Sequence, residues 1–142
     1  MCMIILDNPD RNQWNEFIID NSSPSSFLQS WEWGEFQKSL GFRVHRIAAV
    51  GEGGEIFATA QVITRPLNLG KTYLEITKGP IVQRIENREK GTDIFNLILD
   101  ELKRIGKKEN AVLVRINPPY ENSSVLFSNR YSLIAPEILL RQ

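Results

Sequence analysis

Cysteine and histidine are almost absent from this 142-residue chain, which holds one of each, Cys2 and His45. A single thiol cannot close an internal disulfide, and neither residue has companions at metal-ligand spacing. Disulfide scaffolds and Cys/His metal centres are therefore excluded. A Gly-rich phosphate loop and a Ser nucleophile elbow are missing as well. So is any excess of charge: Lys plus Arg and Asp plus Glu number 17 each, for a formal net charge of +0. No global field then draws the chain to RNA or to an anionic membrane, and any such contact has to use a local basic patch. Apolar runs stay far below the ~20 residues that a membrane-crossing helix needs. The first residues, MCMIILDNPD, carry neither a basic n-region nor a cleavage site, so no secretory signal is expected. With the lone thiol, this predicts a cytoplasmic chain.

What remains is the make-up of an ordinary globular domain, with 42% hydrophobic and 24% charged residues. The length suits a single domain, residues 1–142, large enough to bury a core. The order of elements is α/β, without internal repeats. Met3 to Leu6 reads as a short strand. Asn8 and Pro9 open a helix as cap and first residue, which carries Trp14, Phe17 and Ile18 on one face, and Asn21 to Ser26 is a polar connector. A second helix inside Phe27 to Gly41 is expected to bury Trp33, Phe36 and Leu40 at i, i+3 and i+7, with Gly41 as its stop. Arg43 to Val50 and Glu55 to Arg65 read as a hairpin joined by Gly51-Glu52-Gly53-Gly54. Pro66 to Gly70 turns into a strand at Thr72 to Thr77, and Arg84 to Lys90 is a charged loop.

Ile94, Leu97, Ile98, Leu102 and Ile105 then recur along one helical face. Thr92 and Asp93 favour its start, and Lys103, Arg104, Lys107 and Lys108 its C-terminal end. Ala111 to Ile116 is nearly all apolar and reads as a strand buried on both faces, closed by Asn117-Pro118-Pro119. A strand, a long helix and a further strand make a crossover unit.

Two segments carry more than fold. In FLQSWEWGEFQKSLG (27–41), two tryptophans two residues apart cannot share one helix face. Trp31 is therefore expected at the helix start, its ring closing the turn or lining a groove. In KTYLEITKGPIV (71–82), Lys78-Gly79-Pro80 stops a strand and leaves a cation at its C-terminal mouth. Trp31 and Lys78 are expected on one concave wall. The pattern Q-S-x-E-W-G-E-F, a strand pair, Y-L-x-x-x-K-G-P-I-V and then VLVRINP (112–118) resembles the N-terminal half of the Fem family. These are the peptidoglycan-bridge aminoacyltransferases of FemA, FemB and FemX type. The likeness extends over about residues 3 to 140, and the order and spacing of the three blocks give it its specificity.

The resemblance implies a GNAT-like acyltransferase fold, a mixed and mostly antiparallel sheet flanked by helices. It also implies transfer of an amino acid from an aminoacyl-tRNA ester to an amine of a peptidoglycan precursor, UDP-linked or lipid-linked, with no metal or redox cofactor. Such chemistry needs the amine held against the carbonyl, a proton removed, the oxyanion stabilised and a diphosphate bound by cations. Gln29 and Trp33 match the family's helix-start motif. FemX-like members carry a diphosphate-binding lysine where this chain has Gln37, with Lys38 adjacent but rotated by about 100°. Lys78 matches the K-G-P lysine and Arg115 the arginine of the third block. Asn117 stands where relatives carry an aspartate proposed as base, and an amide cannot take up a proton usefully.

Each of these residues has a plainer reading. Lys78 is also what a solvated strand end would carry, and Arg115 could be a structural ion pair with Glu75 or Glu101. His45, alternating along a hairpin strand, reads as surface or core filler, and Lys107-Lys108 as a solvated helix end. Family members are much longer and hold a second GNAT-like half, so a fragment, a split product needing that half as partner, or a standalone domain are all compatible with the sequence. A small N-acetyltransferase using acetyl-CoA is the other enzyme class. Arg88 to Asp93 resembles a degraded pyrophosphate turn ahead of the long helix, with Asp93 opposing a phosphate. A non-catalytic binding module is the third reading.

Overall fold

The structure, a computed structural model, describes residues 2–22, 24–117 and 137–139. Its centre is the predicted hairpin: β2 (Arg43–Val50) and β3 (Ile56–Pro66) pair antiparallel, as β-branched alternating residues should. A tight turn joins them, in which the Gly51 and Gly54 amides donate to Glu55 and Gly51 carbonyls at 3.0 Å. β1 (Ile4–Asp7) adds antiparallel to β2, and β4 (Thr72–Thr77) adds to the far end of β3. β6 (Ala111–Asn117) lies parallel to β4, and β7 (Glu137–Leu139) antiparallel to β6. The order is β1-β2-β3-β4-β6-β7, with the two-residue β5 (Ile81–Val82) also on β3. The one parallel pair requires a crossover, supplied by α3 (Arg88–Lys108).

Ile94, Ile98, Leu102 and Ile105 of α3 pack on one sheet face with Ile47, Val62, Leu74, Ile76 and Val114. Residues next in sequence point the opposite way. That second face, where Arg46 and Gln61 lie in register, takes α1 (Arg11–Asn21) and α2 (Trp31–Ser39). Trp14, Phe17 and Ile18 of α1 are buried as expected, here around Ile81.

Several boundaries move. Asp10, not Asn8, caps α1 by accepting from the Asn12 and Gln13 amides, and Asn8 stands at φ 50°. The connector is shorter, because Asn21 closes α1 and Pro24–Gln29 wind into a 3-10 turn. α3 starts at Arg88, capped by Asn87 rather than by Thr92 or Asp93, so the last three residues of the expected charged loop, Arg88 to Lys90, are helix. β6 is not buried on both faces: Arg115 and Asn117 are exposed and alternate with buried Val114 and Ile116.

The largest departure is α2. Phe36 and Leu40 are 49% and 55% exposed, Trp33 is half-buried, and the residues against the sheet are Gly34 and Gln37. Its underside meets Arg46 and Gln61, and a Cβ at position 34 would collide with both side chains. A glycine therefore has to face inward, which turns the rings outward. Pro118, Pro119 and residues 140–142 lie outside the described residues.

Candidate functional site

The C-terminal ends of β4 and β6 lie side by side. Their register sets Glu75 opposite Arg115 and Thr77 opposite Asn117, so the sequence-predicted Arg115 and Asn117 share the exposed face of one strand. Lys78 follows Thr77 directly, at φ 57°, a left-handed conformation uncommon for a residue with a Cβ. It is half-buried and makes no hydrogen bond or ion pair among the described residues. The wall behind is polar and aromatic: Arg65 binds Glu75 at 3.0 Å and covers the Phe42 ring at 4.4 Å, while Arg115 lies 5.4 Å from the Tyr73 centroid. Glu75 thus has Arg65 as an ion-pair partner.

Gln29 is fully buried. Its Nε2 donates to the Thr77 carbonyl at 2.7 Å, its Oε1 accepts from the Gln61 amide at 2.9 Å, and its carbonyl accepts from Trp14 Nε1 at 2.8 Å. A residue with no exposed surface and both amide ends engaged fixes what surrounds it.

The other predicted residues sit on α2. Trp31 is half-buried between Trp14, edge-on at 6.4 Å, and Arg46, whose guanidinium lies 3.7 Å from its ring centroid. Arg46 is 2% exposed and donates to the Trp31 carbonyl, Gln61 Oε1 and Glu35. Burial pulls the Arg46 guanidinium down, against the pull of Glu35, and the hydrogen bond from Arg46 holds the Glu35 carboxyl below its usual range. Trp33 packs edge-on to Phe27 and tilted on Phe36. Gln37 is buried with Oε1 unpartnered, and Lys38 is exposed and paired with Glu35 at 3.3 Å. Among the described residues, no hydrogen bond, ion pair or ring contact links Trp33, Gln37 or Lys38 to the β4–β6 mouth. A hollow of about 400 Å³ between α1 and the start of α2 is lined by Ile18, Ile19, Ser26, Phe27 and Glu32 among others, but by neither Trp31 nor Lys78. The concave wall expected to carry both is not that hollow.

Sequence reading missed Arg46 and Gln61. The signal was partial: Gln61 stands between Ala60 and Val62, and Arg46, which follows His45, adjoins the apolar run 47–50, so each borders the core and needs a buried partner there.

Comparison with known proteins bears on this geometry. The model of the FemAB family matches residues 10–132. The chain belongs to the FemAB family. A lipid II:glycine glycyltransferase of Staphylococcus aureus (strain MRSA252) is 32% identical over 111 residues, 78% of this chain and 25% of that protein. The same enzyme from strain USA300 matches to the same extent. The chain thus spans about a quarter of the length of the curated relatives it matches. The crystal structure of FemX superposes with a TM-score of 0.70 at 26% identity, over 91% of this chain and 30% of that one. A Trypanosoma brucei acetyltransferase, at 13% identity, TM-score 0.62 and 99% coverage of both chains, shares the fold. The expected GNAT-like α/β fold with a mostly antiparallel sheet is the observed one.

Proposed function

We propose that this chain supplies the acceptor-binding wall of a Fem-type aminoacyltransferase, which moves an amino acid from an aminoacyl-tRNA ester to an amine of a UDP-linked or lipid-linked muropeptide. The observation that carries this is the left-handed Lys78, one residue past the end of β4 where Thr77 pairs with Asn117, and without a partner among the described residues. Its ammonium is a compact cation suited to a diphosphate. Arg115, two residues before Asn117 on the exposed face of β6, lies on the same wall. In the reaction the acceptor nitrogen attacks the ester carbonyl carbon. A C–N bond forms, the ester C–O bond breaks, and the ribose oxygen leaves with a proton. The acceptor amine, of pKa about 10, has to lose a proton first. Asn117 cannot take it; its amide N–H can orient the acceptor or meet the developing oxyanion. On this reading the chain works in the cytoplasm beside a second GNAT-like half, near the membrane face that presents a lipid-linked acceptor.

Isothermal calorimetry tests this with UDP-linked muropeptide and with acetyl-CoA. The muropeptide is expected to bind, and Lys78→Ala to weaken it on the order of tenfold, as for one charge-assisted contact. Unchanged affinity in Lys78→Ala, or saturable acetyl-CoA binding with acetyl transfer, overturns the reading.

A further inference from the structure

β3 is paired on its outer edge in two separate places. β4 occupies Ile63 to Pro66 and β5 occupies Ala58 and Thr59. Between them the Gln61 amide faces an opening that none of the described strands fills. A buried strand N–H without a partner is costly, and here Gln29 fills the place. Its carboxamide accepts from Gln61 N and donates to Thr77 O, as one peptide unit of a missing strand would. Gln61 grips the same segment in return, its Nε2 donating to Leu28 O at 3.2 Å and Ser30 O at 2.9 Å. With Trp14 on the Gln29 carbonyl, three successive carbonyls are held and the side chain cannot swing. The next turn is fitted against it: a Cβ on Gly79 would come within 2.6 Å of Gln29 Cδ. Lys78 sits between the carbonyl that Gln29 holds and the glycine that packs on it, in a conformation that needs such support.

We infer that Gln29 is a positioning residue: a surrogate sheet rung that fixes the left-handed Lys78 turn and so aims its ammonium at the bound anion. The inference rests on the proposed role of Lys78 and names what sets that role.

A double-mutant cycle on the full chain decides it. Affinity for UDP-linked muropeptide is measured for wild type, Lys78→Ala, Gln29→Met and the double variant, with thermal melts to establish the folded fraction. Gln29→Met should weaken binding several-fold and flatten its salt dependence when Lys78 is present, and do neither once Lys78 is alanine. Gly79→Ala presses the same turn from the other side and should show the same non-additivity, which keeps the test open if Gln29→Met does not fold. A loss that is equal with and without Lys78, or no loss, overturns the positioning role while leaving the Lys78 assignment intact. Indifference to Lys78→Ala itself sinks both.

Discussion

Glu109 is 6% exposed at the C-terminal end of α3 and holds two groups from β2, Arg43 at 2.5 Å and His45 at 3.0 Å. His45 is thus a tie between the long helix and the hairpin, a role its strand alternation did not reveal. Burial lowers its pKa below the ordinary histidine value, more than the Glu109 carboxylate raises it, and Lys108 and Arg43 add to the lowering. The folded protein therefore resists a proton that the unfolded chain accepts. Stability is full above about pH 6.5 and is lost as pH falls from there through the lower folded pKa. His45→Gln should remove part of the acid-side decline in melting temperature in that window. The exposed Glu32 and Glu35, with carboxyls lowered chiefly by hydrogen bonds from Arg11 and Arg46, act only further down, in the carboxylate range. A decline that His45→Gln leaves untouched between pH 7 and 5 would mean that the ring sets none of it.

Helix α2 and helix α3 show what periodicity can and cannot give. The apolar spacing of α3 located its buried side, since Ile94, Ile98, Leu102 and Ile105 are each at most 2% exposed, while Leu97 of the expected stripe is only half-buried and Phe95 is buried beside them. The hairpin and the Thr72–Thr77 strand were equally legible from β-branched runs bounded by Gly and Pro. In α2 the same rule pointed to the wrong side, because it assumes that the largest apolar residues go inward. The underside of α2 is instead set by a buried arginine and glutamine that leave room only for Gly34. Leu40→Gln and Phe36→Gln should then each change unfolding free energy by no more than about 0.5 kcal/mol. Gly34→Ala, against its helix propensity, should cost about 1–3 kcal/mol through overpacking. Urea denaturation of the three variants measures both, and a large loss at Leu40 with none at Gly34 would restore the expected stripe.

At the scale of the molecule, the sequence exposed the cation at the strand mouth but not its surroundings. Lys78 was readable because Gly and Pro follow it, whereas the pairing of its neighbour Thr77 with Asn117 depends on a parallel register across α3. The Gln29 clamp joins residues 48 apart in the chain, which no local pattern encodes. Charge balance was readable too, and the structure deepens it, because many basic side chains are tied to carboxylates. Arg11 binds Glu32, Arg43 binds Glu109, Arg65 binds Glu75, and Arg104 binds Glu101 and Asp7. A chain of formal net charge +0 with these arginines engaged has no excess of positive charge to offer a phosphate backbone. Its own affinity for tRNA should therefore lie at the weak end of non-specific binding, about 0.1 mM at physiological salt. The dependence of log K on log salt should be shallow, corresponding to about one or two phosphates. Filter binding of deacylated tRNA across a salt series reads both quantities. A slope equivalent to about six phosphates or more would mean that this chain carries a tRNA surface of its own in addition to the proposed acceptor wall.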